Sequence, residues 1–129
     1  MTNVIVLGHG GYAQGVKNNL AMLLGDTEGF YYLDFFQNDN LDDFEKKIDE
    51  VLKEIEGNQV LFACDLAGGS PFRLAAVKSA ESSDYCTVAG LNAAAYTEMV
   101  YNLELSANKL AKMAVDVAKD TIKIFPENE

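Results

Sequence analysis

Apolar positions along the chain fall into two kinds of run that alternate, short continuous ones and longer ones with helical spacing. Asn3 to Leu7 (NVIVL) is almost wholly apolar and stops at Gly8, the pattern of a strand covered on both faces. Tyr12, Ala13, Val16, Leu20, Leu23 and Leu24 then recur at helical spacing, with Gly25 where a C-terminal cap would lie. Phe30 to Phe36 (FYYLDFF) predicts a second strand. Leu41, Phe44, Ile48, Val51, Leu52 and Ile55 form an apolar stripe that ends before Gly57. The other side of that helix carries Asp42, Asp43, Glu45, Lys46, Lys47, Asp49, Glu50, Lys53 and Glu54, most simply a solvated face.

The unit repeats. Gln59 to Cys64 (QVLFAC) predicts a third strand, and DLAGGSP leads into FRLAAVKSA, with Ser70 as candidate N-cap and Pro71 suited to the first helical position. Tyr85 to Ala89 (YCTVA) predicts a fourth strand, followed by helices over Ala93 to Asn102 and Ala107 to Asp120, the second capped by Ser106. In the final run TIKIF, Ile122 and Ile124 alternate with Lys123, which predicts an edge strand.

Strands alternating with helices predict a parallel sheet with right-handed crossovers and helices on both faces. A closed barrel of this kind needs about 250 residues. The expected architecture is therefore α/β, a flavodoxin-like doubly wound three-layer sandwich with a four-stranded parallel sheet. Residues 1–129 are read as one domain, since no linker, repeat or low-complexity tract interrupts the plan.

Charge and length narrow the function classes. With 20 acidic and 10 basic side chains the net charge is −10, which argues against nucleic acid as a partner. At 49% apolar the chain can bury a core without staples. No apolar run approaches the roughly 20 residues that span a bilayer, and the start MTNVIVLGHGG lacks the pattern of a signal peptide. The expectation is a cytoplasmic protein without membrane insertion. Cys64 and Cys86 lie in apolar stretches and, with a single histidine in the chain, make a poor zinc set. Buried free thiols are the simpler reading.

Ligand sites in doubly wound sheets lie beyond the carboxyl ends of the strands. That rule selects Gly8-His9-Gly10-Gly11 after the first strand and Asp65-Leu66-Ala67-Gly68-Gly69-Ser70-Pro71 after the third. A neutral imidazole can attack phosphorus through one nitrogen if the other is held as N–H by an acceptor. Asp65 is the candidate acceptor. Gly68, Gly69 and Ser70 open a helix, where unpaired backbone N–H groups and the helix dipole favour a phosphate. Each part has a plainer reading: a turn histidine, a helix entry, a carboxylate capping its own loop. Their placement at one edge favours the joint, functional one.

At these residues a family resemblance becomes specific. VIVLGHGGYAQGVKNNLAMLLGD, from Val4, and VLFACDLAGGSPFRLAA, from Val60, resemble two signatures of the mannose-type enzyme IIA components of the bacterial phosphoenolpyruvate-dependent sugar phosphotransferase system. The similarity runs from the first strand to about Glu98. It implies a phosphotransferase that carries a phosphoryl group on a histidine: His9 matches the histidine that takes phosphate from phospho-HPr and gives it to a histidine of the IIB component. Asp65 matches the orienting aspartate, and Gly68, Gly69 and Ser70 the phosphate-facing loop. Membrane components IIC and IID complete the same system, and no cofactor or metal is implied. The family is homodimeric, often with an exchanged terminal strand, for which TIKIF is the candidate.

Three departures stand out. The residue before the histidine, commonly Ser or Thr, is Gly8; Arg73 replaces the usual Asn and is a candidate phosphate or partner contact; and Ala93-Ala94-Ala95-Tyr96 replaces a more usual Leu-Pro-Met-Leu stretch. The competing readings are the phosphotransfer subunit of a dihydroxyacetone kinase and a non-catalytic flavodoxin-like binding or regulatory module. A flavin site fits poorly, because the chain has no tryptophan and its first loop is not Ser/Thr-rich. A histidine phosphatase fits worse, lacking both the arginine and a second histidine.

Overall fold

The structure, a computed structural model, describes residues 1–127. Four strands, β1 (Thr2–His9), β2 (Phe30–Phe35), β3 (Gln59–Cys64) and β4 (Tyr85–Ala89), alternate with helices α1 (Tyr12–Leu24), α2 (Leu41–Glu54) and α3 (Gly69–Glu81). Helices α4 (Ala93–Val100) and α5 (Ala107–Asp120) follow β4. All pairings are parallel, and the strand order is β2-β1-β3-β4.

The unbroken apolar runs of β1 and β3 follow from their central places. Val4 and Val6 of β1, with Leu61 and Ala63 of β3, pack on one face against α1, α4 and α5. Ile5 and Leu7, with Val60, Phe62 and Cys64, pack on the other against α2 and α3. Alternate side chains point to opposite faces, so both faces must be apolar where both are covered. Fully burying each large aliphatic side chain contributes about 1.5–3 kcal/mol.

N-cap side chains account for three of the five helix starts among the described residues. The Asn40 side chain accepts the N–H groups of Asp42 and Asp43, Asn92 that of Ala95, and Ser106 that of Lys109, each relieving donors a helix leaves unpaired. The charged side of α2 is more than a solvated face. Its Glu45 and Asp49 hold Lys78 of α3, with Nζ at 3.3 Å from Glu45 Oε2 and 2.8 Å from Asp49 Oδ1, tying together the two helices that cover one face of the sheet.

Several expectations need correction. The first strand continues through Gly8 to His9, whose register partner is Phe35 of β2, so the histidine ends a strand rather than sitting in a free loop. Ser70 does not cap α3: Gly68 occupies the N-cap position, no side chain caps the helix, and Pro71 lies in its first turn rather than at its first residue. The reason is Gly69, whose φ of +81° turns the chain into the helix two residues earlier than a Ser70 cap would. The fourth helix ends at Val100 rather than Asn102. Cys64 is buried, whereas Cys86 on the edge strand β4 is only half-buried.

The largest difference is TIKIF. Among the described residues no strand forms there, and Ile122, Ile124 and Phe125 are 73%, 78% and 96% exposed. A strand needs a partner strand, and this segment pairs with none in its own chain. The outer edge of β4 is likewise unpaired among the described residues.

Candidate active site

The carboxyl ends of β1 and β3 bring His9 and Asp65 together. Leu7 pairs with Cys64 across the two strands, and the backbone N–H of Asp65 donates to the Leu7 carbonyl at 3.1 Å, so the sheet ladder itself fixes the separation of the next residues. Asp65 Oδ2 then accepts from the backbone N–H of His9 at 2.9 Å and lies 2.8 Å from its Nδ1. The other carboxylate oxygen accepts the N–H of Leu66 at 2.9 Å. With both oxygens engaged by N–H groups, the carboxylate cannot rotate without losing bonds.

This geometry decides the tautomer. An ionised carboxylate only accepts, so Nδ1 carries the proton and Nε2 keeps its lone pair. The His9 side chain is 41% exposed and that of Asp65 12%, so the imidazole is open to solvent while the carboxylate beside it is sheltered.

Gly69 forms the wall against which the imidazole rests. A Cβ there would lie 2.9 Å from both Cε1 and Nε2 of His9, closer than carbon and nitrogen atoms tolerate. Two requirements thus coincide at one residue, a left-handed backbone and an absent side chain. The N-terminus of α3, uncapped by any side chain, starts beside the lone-pair nitrogen. Gly68 and Ser70 flank Gly69 in the same turn. Arg73 projects from the following turn, exposed, with no ion pair among the described residues.

A second helix start, that of α1, also flanks the histidine. At α1 the N-cap residue Gly11 offers no side chain, and Asp34 of β2 does the capping instead, accepting the N–H groups of Ala13 at 2.7 Å and Gln14 at 3.0 Å. Asp34 is the register partner of Gly8. Its carboxylate occupies the donors of α1, which leaves α3 as the helix start with donors to offer an incoming anion. The Gly10 N–H donates to the Phe35 carbonyl at 3.0 Å, closing the loop from His9 onto β2. The one signal in the sequence is that Asp34 interrupts an otherwise apolar run, Phe30 to Phe36, where a carboxylate needs a partner.

Behind His9, Tyr12 at the start of α1 lies against Gly8, and its hydroxyl is 2.5 Å from that of Tyr96 on α4. Burial above all pushes both phenols above their ordinary range; the neighbouring Tyr12 hydroxyl raises Tyr96 further, while at Tyr12 the shared hydrogen bond works the other way and the charge of Asp65 adds a smaller upward effect. Neither would ionise near neutrality. No cluster of three or more His, Cys, Asp or Glu side chains able to hold a metal occurs among the described residues, and no helix is long and apolar enough to cross a membrane.

Comparison with known proteins bears on the family and the fold. Residues 3–120 match the family model described as the PTS system fructose IIA component. The PTS system fructose-specific EIIA component of Bacillus subtilis (strain 168) is 32% identical over 93 residues, which cover 71% of this chain and 64% of that protein. The PTS system mannose-specific EIIAB component of Escherichia coli (strain K12) is 31% identical over 127 residues, 95% of this chain and 39% of the relative. The chain thus spans less than two thirds of the length of either curated relative. Among solved structures, the mannose/sorbose specific IIA subunit from Enterococcus faecalis superposes with a TM-score of 0.88 at 23% identity, covering 99% of this chain and 97% of that one. The EIIA component from Streptococcus agalactiae gives 0.87 at 22%, covering 97% and 98%. These two likenesses establish the fold.

Proposed function

Because the chain belongs to the family of PTS system fructose IIA components, we propose that it is a phosphotransferase-system phosphoryl carrier whose acceptor atom is Nε2 of His9. The observation that carries this reading is the Asp65 contact: Nδ1 is held by a carboxylate at 2.8 Å while the opposite nitrogen lies beside a bare glycine on a side chain open to solvent. Phospho-HPr is the proposed donor. The lone pair of Nε2 attacks phosphorus, the bond from phosphorus to the donor imidazole breaks, and its electron pair returns to the donor nitrogen. The proton on Nδ1 stays where it is, and the positive charge that develops on the ring is met by Asp65. Transfer to a histidine of a IIB component reverses the same steps, and IIB in turn gives the phosphoryl group to the sugar that the membrane components IIC and IID take up.

The N–H groups of the Gly68-Gly69-Ser70 turn are the proposed ligands of the phosphoryl oxygens, and the Ser70 hydroxyl adds a donor. Arg73 supplies a cation at the rim of this turn on a protein of net charge −10, to meet either the phosphoryl group or an acidic patch on IIB. Arg73→Asn slows transfer in both directions in the first case. In the second it changes only the step to IIB and its salt dependence, and unchanged rates would remove both roles.

We read the protein as a cytoplasmic homodimer of single-domain subunits, with Thr121–Phe125 added to the β4 edge of a second copy. The groove beside that edge, about 430 Å³ and lined by Cys86, Val88, Ala111 and Val115 among others, is apolar enough to receive Ile122 and Ile124. The test of the central reading is labelling. Incubation with phosphoenolpyruvate, enzyme I and HPr labels the wild type with acid-labile, base-stable phosphate and leaves His9→Ala unlabelled; label retained in His9→Ala would refute the assignment.

A further inference from the structure

The backbone that presents His9 is braced from behind. Gly8, the residue before the histidine, is buried, and a Cβ on it would meet Tyr12 Cδ2 at 2.5 Å, Cβ at 2.6 Å and Cγ at 2.8 Å. The Tyr12 ring therefore rests on the strand backbone at Gly8, in the space a side chain there would take. Gly8 and Tyr12 are a matched pair, and Gly8 is what lets the ring come so close.

What holds the ring is less obvious from packing. Tyr12 packs against the core on one side, and on the other it borders, with Tyr96, a cavity of about 390 Å³ lined also by Gly11, Gly15, Val16, Asn19, Leu91 and Ala93, so packing closes around only part of the ring. The fixed point is the hydrogen bond between the two hydroxyls, made to a residue 84 positions away on α4. Tyr96 is 2% exposed, and its own position is set by the core. The Tyr12 ring lies against Gly8, the residue before His9, which places the pair behind the dyad rather than on a remote surface.

We propose that the Tyr12–Tyr96 hydroxyl pair is a positioning element for the phosphoryl-accepting histidine: by fixing the Tyr12 ring on Gly8, it holds the His9 backbone in register with Asp65. This rests on the reading of His9 as acceptor. The backbone N–H and Nδ1 of His9 share one carboxylate oxygen, so a small shift of the main chain lengthens both bonds together. Loosening of the ring then appears as a mixture of imidazole tautomers, and the fraction with a free Nε2 falls.

Three variants separate positioning from folding. Tyr12→Phe and Tyr96→Phe each leave one hydroxyl without its partner, whereas the double variant removes both and leaves no orphan. The double variant is therefore expected to regain thermal stability that the Tyr12→Phe variant loses, because an unpaired buried polar group is worse than none. It is not expected to regain function. Single-turnover labelling from phospho-HPr should fall by a factor of about 2 to 10 in all three variants, the worth of one hydrogen bond, with the maximal rate reduced and the half-saturating HPr concentration unchanged. The ¹⁵N spectrum of the His9 ring should move toward a tautomer mixture. Wild-type rates and an unchanged ring spectrum would overturn the proposal, as would a rate that recovers with stability in the double variant. The ring spectrum is read on unphosphorylated protein, so it tests the brace even if the wild type takes no label, an outcome that would instead overturn the carrier reading.

Discussion

A single oxygen, Oδ2 of Asp65, accepts both the main-chain N–H and the Nδ1–H of His9, at 2.9 and 2.8 Å. One atom therefore sets where the residue sits and which way its ring turns, while Oδ1 is committed to Leu66 at 2.9 Å. Asparagine cannot reproduce this. Its amide has one accepting atom and one donating atom, so either flip sets a donor against the Leu66 N–H or against His9. Asp65→Asn is expected to lower single-turnover transfer by at least about 10-fold, in line with other histidine–carboxylate pairs, while circular dichroism shows the fold intact. A wild-type rate in Asp65→Asn would show that the tautomer is set by something else.

Gly69 and Gly10 offer a controlled contrast. Both have positive φ, +81° and +59°, so alanine at either strains the backbone by about 1–2 kcal/mol. At Gly10 a Cβ meets nothing within 4 Å, whereas at Gly69 it would lie 2.9 Å from Cε1 and Nε2 of His9. Thermal denaturation should register both substitutions. Phosphoryl labelling should be lost only in Gly69→Ala, because there the methyl group occupies the approach to the acceptor nitrogen. Equal labelling of the two variants would mean that the phosphoryl group reaches His9 from another side.

The sequence was most informative where one physical requirement dominated. Burial on both faces makes Val4 to Leu7 and Val60 to Cys64 apolar without a break, and β3 and β4 begin and end where their patterns predict. His9 and Asp65 were legible because strand ends in parallel sheets are where sites lie, and the structure brings the two into contact. What stayed hidden depends on pairs distant in sequence. Ser70 looks like a cap, but the left-handed turn at Gly69 starts the helix before it. Nothing local shows that Asp34 caps α1 across two strands, or that Tyr12 finds Tyr96 across two helices. TIKIF has the alternation of a strand, and alternation records which side chains are covered, never which chain covers them.

That last point is open to measurement. Ile122, Ile124 and Phe125 together expose a large apolar surface, and an unpaired β4 edge invites a partner strand. In the proposed homodimer both are covered by the same exchange, which is isologous and closes after two subunits. Light scattering at micromolar concentration should give the mass of a dimer for the intact chain and of a monomer after deletion from Thr121. A monomeric mass for the intact chain, unchanged by the deletion, would sink the exchange.

Cys64 lies one residue before Asp65 at the end of β3, fully buried. Burial first, and the charge of Asp65 second, push its thiol from 9.0 up to about 12. The unfolded chain ionises this thiol near its ordinary value while the folded chain keeps it protonated. The raised folded value therefore favours the fold fully below about pH 9, and that contribution is lost as pH rises toward 12. The slope approaches about 1.4 kcal/mol per pH unit for one group. Tyrosines and lysines titrate over the same range, so the informative quantity is the difference between wild type and Cys64→Ala. Urea unfolding at pH 8, 9.5 and 10.5 should show wild-type stability falling more steeply than that of Cys64→Ala. Parallel slopes for the two proteins would mean that the thiol is solvated, and that the β3 end beside the histidine opens to water.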